Sequence, residues 1–303
     1  MPLLAVTVPD AILLVAHGSR SAAGQAEMAA LASSIDAARP ARDVRFGYLE
    51  LCDPPAAAVM EEILAAGARD IVVVPLMLHA AGHTKSDVPA LVLEARARRP
   101  DARITYARPL GVDHALLSLG LRRLDEAGGR GLPLAVLSRG TSDPDANAEA
   151  CRVSRLLAEM SGTRLAVSGF SGITWPSVPD ALDQLRRLGA ERVAVFAWFL
   201  ATGVLLERMR DDYQRFGAAT GIEVHDAGYL GTGDELTTLV LERIDEALGG
   251  RTAPNCDACA YRRPFPGLEG RVGSVRGRGH SHLAAEHRHG GDHHSHHRGD
   301  GAS

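Results

Sequence analysis

Residues 71–78 read IVVVPLML, and this unbroken apolar run decides the fold class. A second run, Ile12–Ala16, reads ILLVA. Strands without polar alternation are typical of parallel sheets whose two faces are both covered by helices. Between the two runs lies Gln25–Ala38, whose apolar residues recur at helical spacing. Strands that alternate with such helices predict βαβ units.

The same alternation continues to about residue 250 and predicts eight strands and eight helices. The predicted strands are Ile12–Ala16, Val44–Leu49, Ile71–Leu78, Arg103–Ala107, Leu134–Leu137, Arg164–Val167, Arg192–Ala197 and Ile222–His225. The predicted helices are Gln25–Ala38, Ala56–Ala66, Val88–Arg98, Ala115–Ala127, Asn147–Met160, Ser177–Leu188, Leu205–Phe216 and Glu235–Leu248.

Glycine and proline residues mark a duplication of the chain. Gly18 and Gly140 each follow the first strand of a half, and Pro54 and Pro176 are likewise 122 residues apart. These residue types serve backbone roles, such as positive φ or close approach where a strand turns into a loop. Three further pairs keep a spacing of 120 to 122 residues: Gly67 with Gly189, Gly82 with Gly203, and Gly111 with Gly231.

We therefore predict an α/β fold with two similar doubly wound parallel-sheet domains, residues 1–128 and 129–250, related by pseudo-twofold symmetry. The sequence AGGRGL at 127–132 is the expected flexible link between them. Residues 251–303 are rich in Gly, Arg, His and Ser and poor in aliphatic residues. Such a segment cannot bury enough apolar surface to offset its ordering entropy, so we predict a disordered, histidine-rich tail.

The charge distribution argues against nucleic acid as the main partner. The formal net charge is −4, and residues 1–250 carry 25 basic and 32 acidic residues, whereas phosphate binding needs a basic surface. No apolar stretch has the length of a membrane span, and the N-terminus lacks the pattern of a secretory signal. With only four cysteines, we expect a cytoplasmic protein that binds neither nucleic acid nor membrane.

Polar side chains follow the first three predicted strands. His17 ends the first strand in LLVAHGSR, Glu50 ends the second in YLELCDPP, and His83 follows the third in AAGHTKSDVP. The carboxyl ends of parallel strands meet at one edge of a sheet, where ligands bind. Imidazole and carboxylate groups at that edge indicate a metal-binding or proton-transfer site.

The second half keeps the scaffold without these groups. Its equivalent residues are Arg139, Gly172 and either Val204 or Leu205. This asymmetry indicates that the imidazoles and the carboxylate form one site and are not required by the fold. We therefore expect substitution of Arg139 to have a much milder effect than substitution of His17.

The motifs HGSR, YLELCDPP and AAGHTKSDVP, in this order, resemble those of the sirohydrochlorin chelatases of the CbiX/SirB type. The resemblance covers about residues 11–250, because the second half is similar to the degenerate second repeat of that family. It implies a chelatase-like fold in which two α/β domains face a cleft. It also implies ATP-independent insertion of a divalent metal into the tetrapyrrole sirohydrochlorin.

The resemblance also implies roles for individual residues. His17 matches the proton acceptor and metal ligand, His83 matches the second metal-binding histidine, and Glu50 matches a position near the substrate; we predict all three as catalytic. Arg20 is a candidate partner for a substrate carboxylate, because guanidinium groups bind carboxylates bidentately; the alternative is a surface charge. His79 departs from the apolar or small residue expected in the tetrapyrrole-contacting turn, which corresponds to Leu78, His79, Ala80, Ala81 and Gly82.

The sequence leaves the metal open, because imidazole and carboxylate ligands accept both Co²⁺ and Fe²⁺. We favour cobalt on account of the histidine-rich tail, and the alternative is an iron-inserting enzyme that makes sirohaem. A less favoured interpretation is a metal-binding or metallochaperone protein whose body only supports the tail. The expected partners are sirohydrochlorin and the divalent metal, with no further cofactor, and the expected state is a monomer or homodimer.

Metal-binding residue types cluster towards the C-terminus. The spacing of Cys256 and Cys259 suits a zinc site, an iron–sulfur cluster or a redox pair. We favour a pair of cysteines that binds neither zinc nor a cluster. Flexible imidazoles bind Co²⁺, Ni²⁺ and Zn²⁺ in shifting combinations, so we predict a metal store; the alternative is a solvated tail with incidental affinity. The store would comprise His280, His282, His287, His289, His293, His294, His296 and His297.

Deleting residues 276–303 should leave saturating turnover unchanged and raise the metal concentration that gives the half-maximal rate. The physical reason is that tethered imidazoles raise the local metal concentration at the site. Parallel Co²⁺ titrations of the full-length and shortened enzymes measure this effect. Identical metal dependence of the two enzymes would leave the tail without a role in metal supply.

Overall fold

A computed structural model describes residues 10–40 and 42–252, and these residues form eight strands in two sheets. The first sheet contains β1 (Ala11–Ala16), β2 (Asp43–Tyr48), β3 (Asp70–Pro75) and β4 (Arg103–Tyr106). The second contains β5 (Leu134–Ser138), β6 (Ala166–Phe170), β7 (Arg192–Ala197) and β8 (Glu223–Tyr229). Neighbouring strands pair in parallel throughout both sheets. The predicted α/β class is confirmed.

The described residues also form eight α-helices and one π-helical turn. Side chains start several of them: Ser21 accepts the N–H of Gly24, and Asp113 accepts the N–H of Ala115. Such N-caps satisfy backbone N–H groups that have no partner within the helix. The helices are α1 (Ala22–Ala38), α2 (Ala56–Ala65), α3 (Val88–Arg98), α4 (His114–Glu126), α5 (Pro144–Ser161), α6 (Val178–Arg187), α7 (Val204–Thr220) and α8 (Asp234–Leu248), and the π-helical turn is His83–Asp87.

Each sheet has the strand order of a doubly wound fold. The order is β2-β1-β3-β4 in the first sheet and β6-β5-β7-β8 in the second. In the first sheet, Leu14 pairs with Phe46 on one side and with Val74 on the other. The chain therefore reverses its direction of winding between β1 and β3, and again between β5 and β7. A switch point of this kind opens a crevice at the carboxyl ends of the strands.

All of the predicted strands and helices are present, with shifted ends. Strand β6, which the sequence predicted at 164–167, lies at Ala166–Phe170. Ser168 and Gly169 interrupt its apolar pattern, and Gly169 is required there by packing. A Cβ on Gly169 would lie 2.8 Å from a methyl group of Leu137 and 3.0 Å from the Cβ of Ala181 in α6.

Alternate residues of each strand pack on opposite faces of the sheet. In β1, Leu13 and Val15 pack in an outer core with α2 and α3, whereas Ile12 and Leu14 belong to an inner core. The inner core contains residues of both sheets and of α1, α4, α5 and α8. Because this apolar surface is shared, the two repeats form one packed body.

The last helix of each repeat packs on the sheet of the other repeat. Helix α8 lies against β3 and β4, and α4 lies against β7 and β8. Gly120 permits the close approach of α4, since a Cβ there would lie 2.9 Å from the ring of Phe196. Each sheet is therefore completed by the last helix of the other repeat.

Equivalent arginines anchor these two exchanged helices. Arg243 in α8 is 1% exposed, donates to the carbonyl of Leu110 at 2.9 Å and pairs with Asp113 at 2.7 Å. Its equivalent Arg123, 120 residues earlier in α4, donates to the carbonyl of Leu230 at 3.4 Å. The two carbonyl acceptors are themselves 120 residues apart, so the contacts repeat with the same spacing as the sequence landmarks.

The C-terminal segment for which we predict metal binding lies outside the described ranges. It comprises residues 253–303, which include Cys256, Cys259 and the eight tail histidines. Within residues 10–40 and 42–252, no helix combines the length and the apolar character needed to cross a membrane. The boundaries of the two domains, 1–128 and 129–250, stay a prediction.

The glycines that follow β1 and β5 have the backbone roles that the sequence predicted. Gly18 has φ +112° and Gly140 has φ +79°. A Cβ on Gly18 would lie 1.9 Å from the carbonyl oxygen of Glu50, and one on Gly140 would lie 2.2 Å from that of Gly172. Both repeats therefore need glycine where the loop after the second strand crosses the end of the first.

Gly18→Ala should lower the free energy of unfolding by about 3 kcal/mol, because positive φ and a backbone clash act together. Gly67→Ala is the matched control, since Gly67 also has positive φ but has open space around its Cα. We expect the control to cost about 1 kcal/mol. Urea unfolding of both variants measures the difference, and equal losses would contradict the steric argument.

Candidate metal and substrate site

Three polar side chains of the first repeat meet at the switch point of its sheet. His17 directly follows β1, Glu50 lies just beyond β2, and His83 begins the π-helical turn that follows β3. The N–H of Glu50 donates to the carbonyl of His17 at 3.0 Å, which fixes the two loops relative to each other. The predicted convergence of the three residues is therefore observed in the structure.

Their side chains approach closely enough to share one ligand. His17 Nε2 lies 3.3 Å from Glu50 Oε1, and His83 Nε2 lies 3.8 Å from the same oxygen. The two imidazole rings stand edge to face with their centroids 4.5 Å apart. One ligand atom from each residue lies within 4.8 Å of the other two. This spacing suits a single divalent ion bound by two nitrogens and one oxygen.

The cluster is open on one side. The side chains of His17, Glu50 and His83 are 24%, 22% and 20% exposed, respectively. Three ligands leave coordination positions free, as in catalytic rather than structural metal sites. A bound ion could therefore contact a further molecule while the protein still holds it.

Asp87 orients one of the two imidazoles. Its Oδ2 lies 2.5 Å from His83 Nδ1, four residues away across the π-helical turn. A carboxylate at this distance favours the proton on Nδ1 and leaves the lone pair of Nε2 directed at the site, an arrangement typical of metal-binding histidines. Asp87 precedes α3, but its side chain makes no capping hydrogen bond and contacts His83 instead.

The second repeat contributes Arg139, which we did not expect to take part in the chemistry. A guanidinium nitrogen of Arg139 contacts His17 Nε2. Burial lowers the pKa of this guanidinium, and the nearby Glu50 carboxylate opposes that effect. Arg139 and His17 are equivalent residues, 122 positions apart, so the pseudo-twofold relation brings them together. The milder effect expected for substitution of Arg139 stays a prediction, although the structure brings this residue into contact with His17.

Lys85 joins the turn that carries His83 to the second repeat. Its Nζ lies 2.8 Å from Asp143 Oδ2 and 2.8 Å from Asp145 Oδ2. The side chains of Lys85 and Asp143 are 8% and 1% exposed. Burial alone lowers the pKa of Lys85, but its hydrogen bonds to the two aspartates outweigh this and the net pKa is raised. A buried pair of this kind costs much free energy to break from one side.

Glu149 of α5 holds the loop that precedes His83. Its Oε2 accepts the N–H of Ala80 at 3.2 Å and lies 3.5 Å from His79 Nδ1. The same contact occurs in reverse: Glu27 of α1 accepts the N–H of Thr202 at 2.8 Å. Glu27 and Glu149 are 122 residues apart. Each repeat therefore uses one carboxylate to position the loop after the third strand of the other.

The remaining predicted residues occupy different surroundings. Leu78 is 9% exposed, so it supports the loop from within the core. Ala80, Ala81 and Gly82 are half-buried, and Arg20 is exposed. The Nδ1 atom of His79 lies 3.5 Å from a carboxylate oxygen of Glu149, and His79 is not part of the three-residue cluster. Its contact with the substrate stays a prediction.

Comparison with known proteins agrees with this fold. The family model of CbiX matches residues 11–127 and again residues 133–247. The two matches correspond to the two α/β repeats of the structure, and the first contains the cluster of two histidines and one carboxylate. The chain belongs to the CbiX family.

Individual relatives align with most of this chain. A sirohydrochlorin cobaltochelatase from Priestia megaterium is 34% identical over 260 residues, which cover 83% of this chain and 84% of the relative. A sirohydrochlorin ferrochelatase from Bacillus subtilis (strain 168) is 28% identical over 239 residues, covering 78% of this chain and 91% of the relative. A solved structure of SirB from Bacillus subtilis with Fe³⁺ superposes with a TM-score of 0.71 at 27% identity, covering 80% of this chain and 97% of that one.

Glu149→Gln should reduce the free energy of unfolding by about 1–2 kcal/mol at pH 7, where the carboxylate is charged. Burial raises the pKa of Glu149, but His79, the N–H of Ala80 and Lys85 outweigh it, so the net pKa lies below the ordinary 4.5. A carboxylate with a lowered pKa stabilises the fold above its unfolded pKa, and this stability is lost as the pH falls through its folded pKa.

The difference between wild type and Glu149→Gln should therefore shrink as the pH falls below 4.5. Urea unfolding at pH 7 and at several more acidic values measures it. Glu159→Gln, at an exposed position of the same helix, is the control and should stay within about 0.5 kcal/mol of wild type. A pH-independent difference for Glu149→Gln would contradict the assignment.

Proposed function

We propose that this protein inserts a divalent metal ion, preferentially Co²⁺, into sirohydrochlorin. The observation that carries the proposal is the convergence of His17, Glu50 and His83 at one switch point in a chain of the CbiX family. Relatives named for this reaction with cobalt and with iron support the substrate class.

The proposed metal ligands suit an ion that must be passed on. Two imidazoles and one carboxylate bind Co²⁺ and Fe²⁺, and three protein ligands leave positions open for pyrrole nitrogens. A closed four-ligand site would retain the ion. The hydrogen bond between His83 and Asp87 keeps the Nε2 lone pair available, so His83 is assigned as a metal ligand throughout the transfer.

Metal insertion releases two pyrrole protons as the divalent ion enters, and the site offers bases for them. We assign His17 as the first acceptor, because a neutral imidazole accepts protons near neutral pH. Glu50 Oε1 lies 3.3 Å from His17 Nε2, within reach to receive the proton from the imidazolium. Each of the two pyrrole protons passes in turn from His17 to Glu50 and from this 22% exposed carboxylate to water, so the charge of the site is restored before the next turnover.

The substrate is assigned to the cleft beside the loop 78–82. The small side chains of Ala80 and Ala81 and the bare backbone of Gly82 allow a flat macrocycle to approach closely, whereas Leu78 supports them from the core. Arg20 is exposed near His17 in the chain and is assigned to a peripheral carboxylate of sirohydrochlorin.

Cobalt is favoured over iron by the relatives. The cobaltochelatase from Priestia megaterium shares 34% identity with this chain, against 28% for the ferrochelatase from Bacillus subtilis. Iron insertion to form sirohaem is the second candidate, since the ligand set accepts either ion. A metal store without catalysis is less favoured, because storage would not require an open site with an oriented imidazole. The cytoplasmic location and the monomeric or homodimeric state stay predictions.

An anaerobic spectrophotometric assay of sirohydrochlorin with Co²⁺ or Fe²⁺, in buffer without nucleotide, tests this function. We expect metallation with both ions and a higher kcat/KM with Co²⁺. His17→Ala should reduce turnover by about 100-fold or more, because it removes both a base and a ligand. His114→Ala is the control, since His114 is exposed at the start of α4 and should leave turnover unchanged.

Three results of this assay would contradict the proposal, each at a different point. Metallation no faster than that of free sirohydrochlorin would refute the proposed function. Near-normal turnover of His17→Ala would refute the assignment of His17 as proton acceptor. A higher kcat/KM with Fe²⁺ would replace cobalt by iron as the preferred metal.

A further inference from the structure

One cation of the protein already lies where the metal is expected to bind. The guanidinium of Arg139 contacts His17 Nε2, the atom that also faces Glu50 at 3.3 Å. Arg139 is also close enough to Glu50 for that carboxylate to act on its charge. One proposed ligand, His17, is therefore in direct contact with a positive group from the other repeat, and a second, Glu50, interacts with that group electrostatically.

A guanidinium in this position opposes a divalent ion in two ways. It donates to the nitrogen lone pair that a metal would need, since a guanidinium has donors and no acceptor. It also repels the ion electrostatically, because like charges a few ångströms apart interact strongly at a partly buried site. A metal ion can bind with full affinity only after the side chain of Arg139 has moved.

The backbone at Arg139 is fixed, so the movement is confined to its side chain. The Ser171 hydroxyl donates to the Arg139 carbonyl at 2.8 Å, and Ser171 N–H donates to the carbonyl of Ser138 at 3.0 Å. The next residue, Gly140, approaches the carbonyl of Gly172 too closely to admit a Cβ. A long side chain on this rigid turn can exchange one partner for another without a change of fold.

We infer that Arg139 couples the two substrates: it weakens metal binding in the empty cleft and moves to a carboxylate of the bound tetrapyrrole, which frees His17 for the metal. This inference rests on the proposed function. Sirohydrochlorin supplies carboxylates, and a guanidinium binds a carboxylate bidentately in preference to a neutral imidazole. The arrangement prevents the enzyme from retaining an ion when no acceptor is present.

Such coupling has a reciprocal consequence. If a bound macrocycle tightens metal binding by a given factor, a bound metal tightens macrocycle binding by the same factor. Replacing Arg139 by Gln removes the positive charge, so the empty cleft should already bind the metal tightly. A bound macrocycle should then give no further increase in metal affinity. Replacing it by Lys keeps the charge and should retain weak metal binding in the empty cleft.

The test is calorimetric titration of full-length protein with Co²⁺, alone and with copper uroporphyrin, an eight-carboxylate macrocycle whose centre is already occupied. His17→Ala, alone and combined with each Arg139 variant, gives the background binding of sites outside the cleft, which is subtracted. Arg155→Gln removes an equally charged but exposed side chain of the same repeat and is the matched control. Circular dichroism and thermal unfolding verify that each variant is folded.

We expect Arg139→Gln to tighten cleft binding of Co²⁺ without macrocycle by about tenfold, a typical coupling factor, and to lose the response to copper uroporphyrin. Wild type, Arg139→Lys and Arg155→Gln should bind weakly alone and about tenfold more tightly with the macrocycle. Unchanged or weaker Co²⁺ binding by Arg139→Gln, with a normal loss in His17→Ala, would overturn this inference alone. Total Co²⁺ binding that His17→Ala leaves unchanged would overturn the site assignment as well.

Discussion

The exchange of terminal helices between the repeats is the constraint on which the other features of the molecule depend. Helix α4 covers the sheet of the second repeat and α8 covers that of the first, with the buried Arg243 fixing α8 to the loop before α4. On the inner face of each sheet, one helix of the same repeat, α1 or α5, covers part of the surface, and the last helix of the other repeat covers a further part. The apolar inner core therefore sets the relative position of the two repeats, and with it the way their strand ends face each other.

Because the relative position of the repeats is fixed, side chains of each repeat can hold the loops of the other in place. Glu149 binds the loop before His83, and Lys85 anchors the turn that contains His83. In the opposite direction, Glu27 of the first repeat accepts a hydrogen bond from the N–H of Thr202 in the second. Among residues 10–40 and 42–252, a cluster that could hold a metal ion occurs in the first repeat alone. The backbone and its supporting carboxylates are kept in both halves, while the residues at the strand ends differ: the proposed ligands lie on one side and Arg139 on the other.

The sequence was sufficient for the fold class and for the three-residue cluster. Apolar strands and the spacing of glycines depend on local chemistry, so they predict the βαβ order, and parallel strand ends bring His17, Glu50 and His83 to one edge. Residues that act across the interface between the repeats could not be found this way. Arg139, Glu149 and Lys85 are ordinary charged residues in the chain, and only the packing of one repeat on the other gives them partners.

One signal for the interface was nevertheless present in the sequence. Glu27 and Glu149 share the offset of 122 residues that relates the glycine landmarks, and Lys85 is the only lysine in a chain whose other basic residues are arginines. A pair of charged residues that keeps the repeat spacing has a function that both halves need. The equivalence of His17 and Arg139 is also visible in the sequence, where it indicates only that the second repeat lacks the histidine. The structure brings the two side chains into contact.

The exchanged helices also restrict how the cleft can admit a molecule. Many two-domain proteins close on a ligand by rotating rigid domains about a hinge. Here a rotation that separated the two sheets would pull α4 and α8 away from the apolar surfaces they cover and expose the shared core to water. Wide hinge opening is therefore expensive in this molecule, and entry of a macrocycle depends on rearrangement of side chains and short loops at the strand ends, on the faster timescale of rotamer and loop motion.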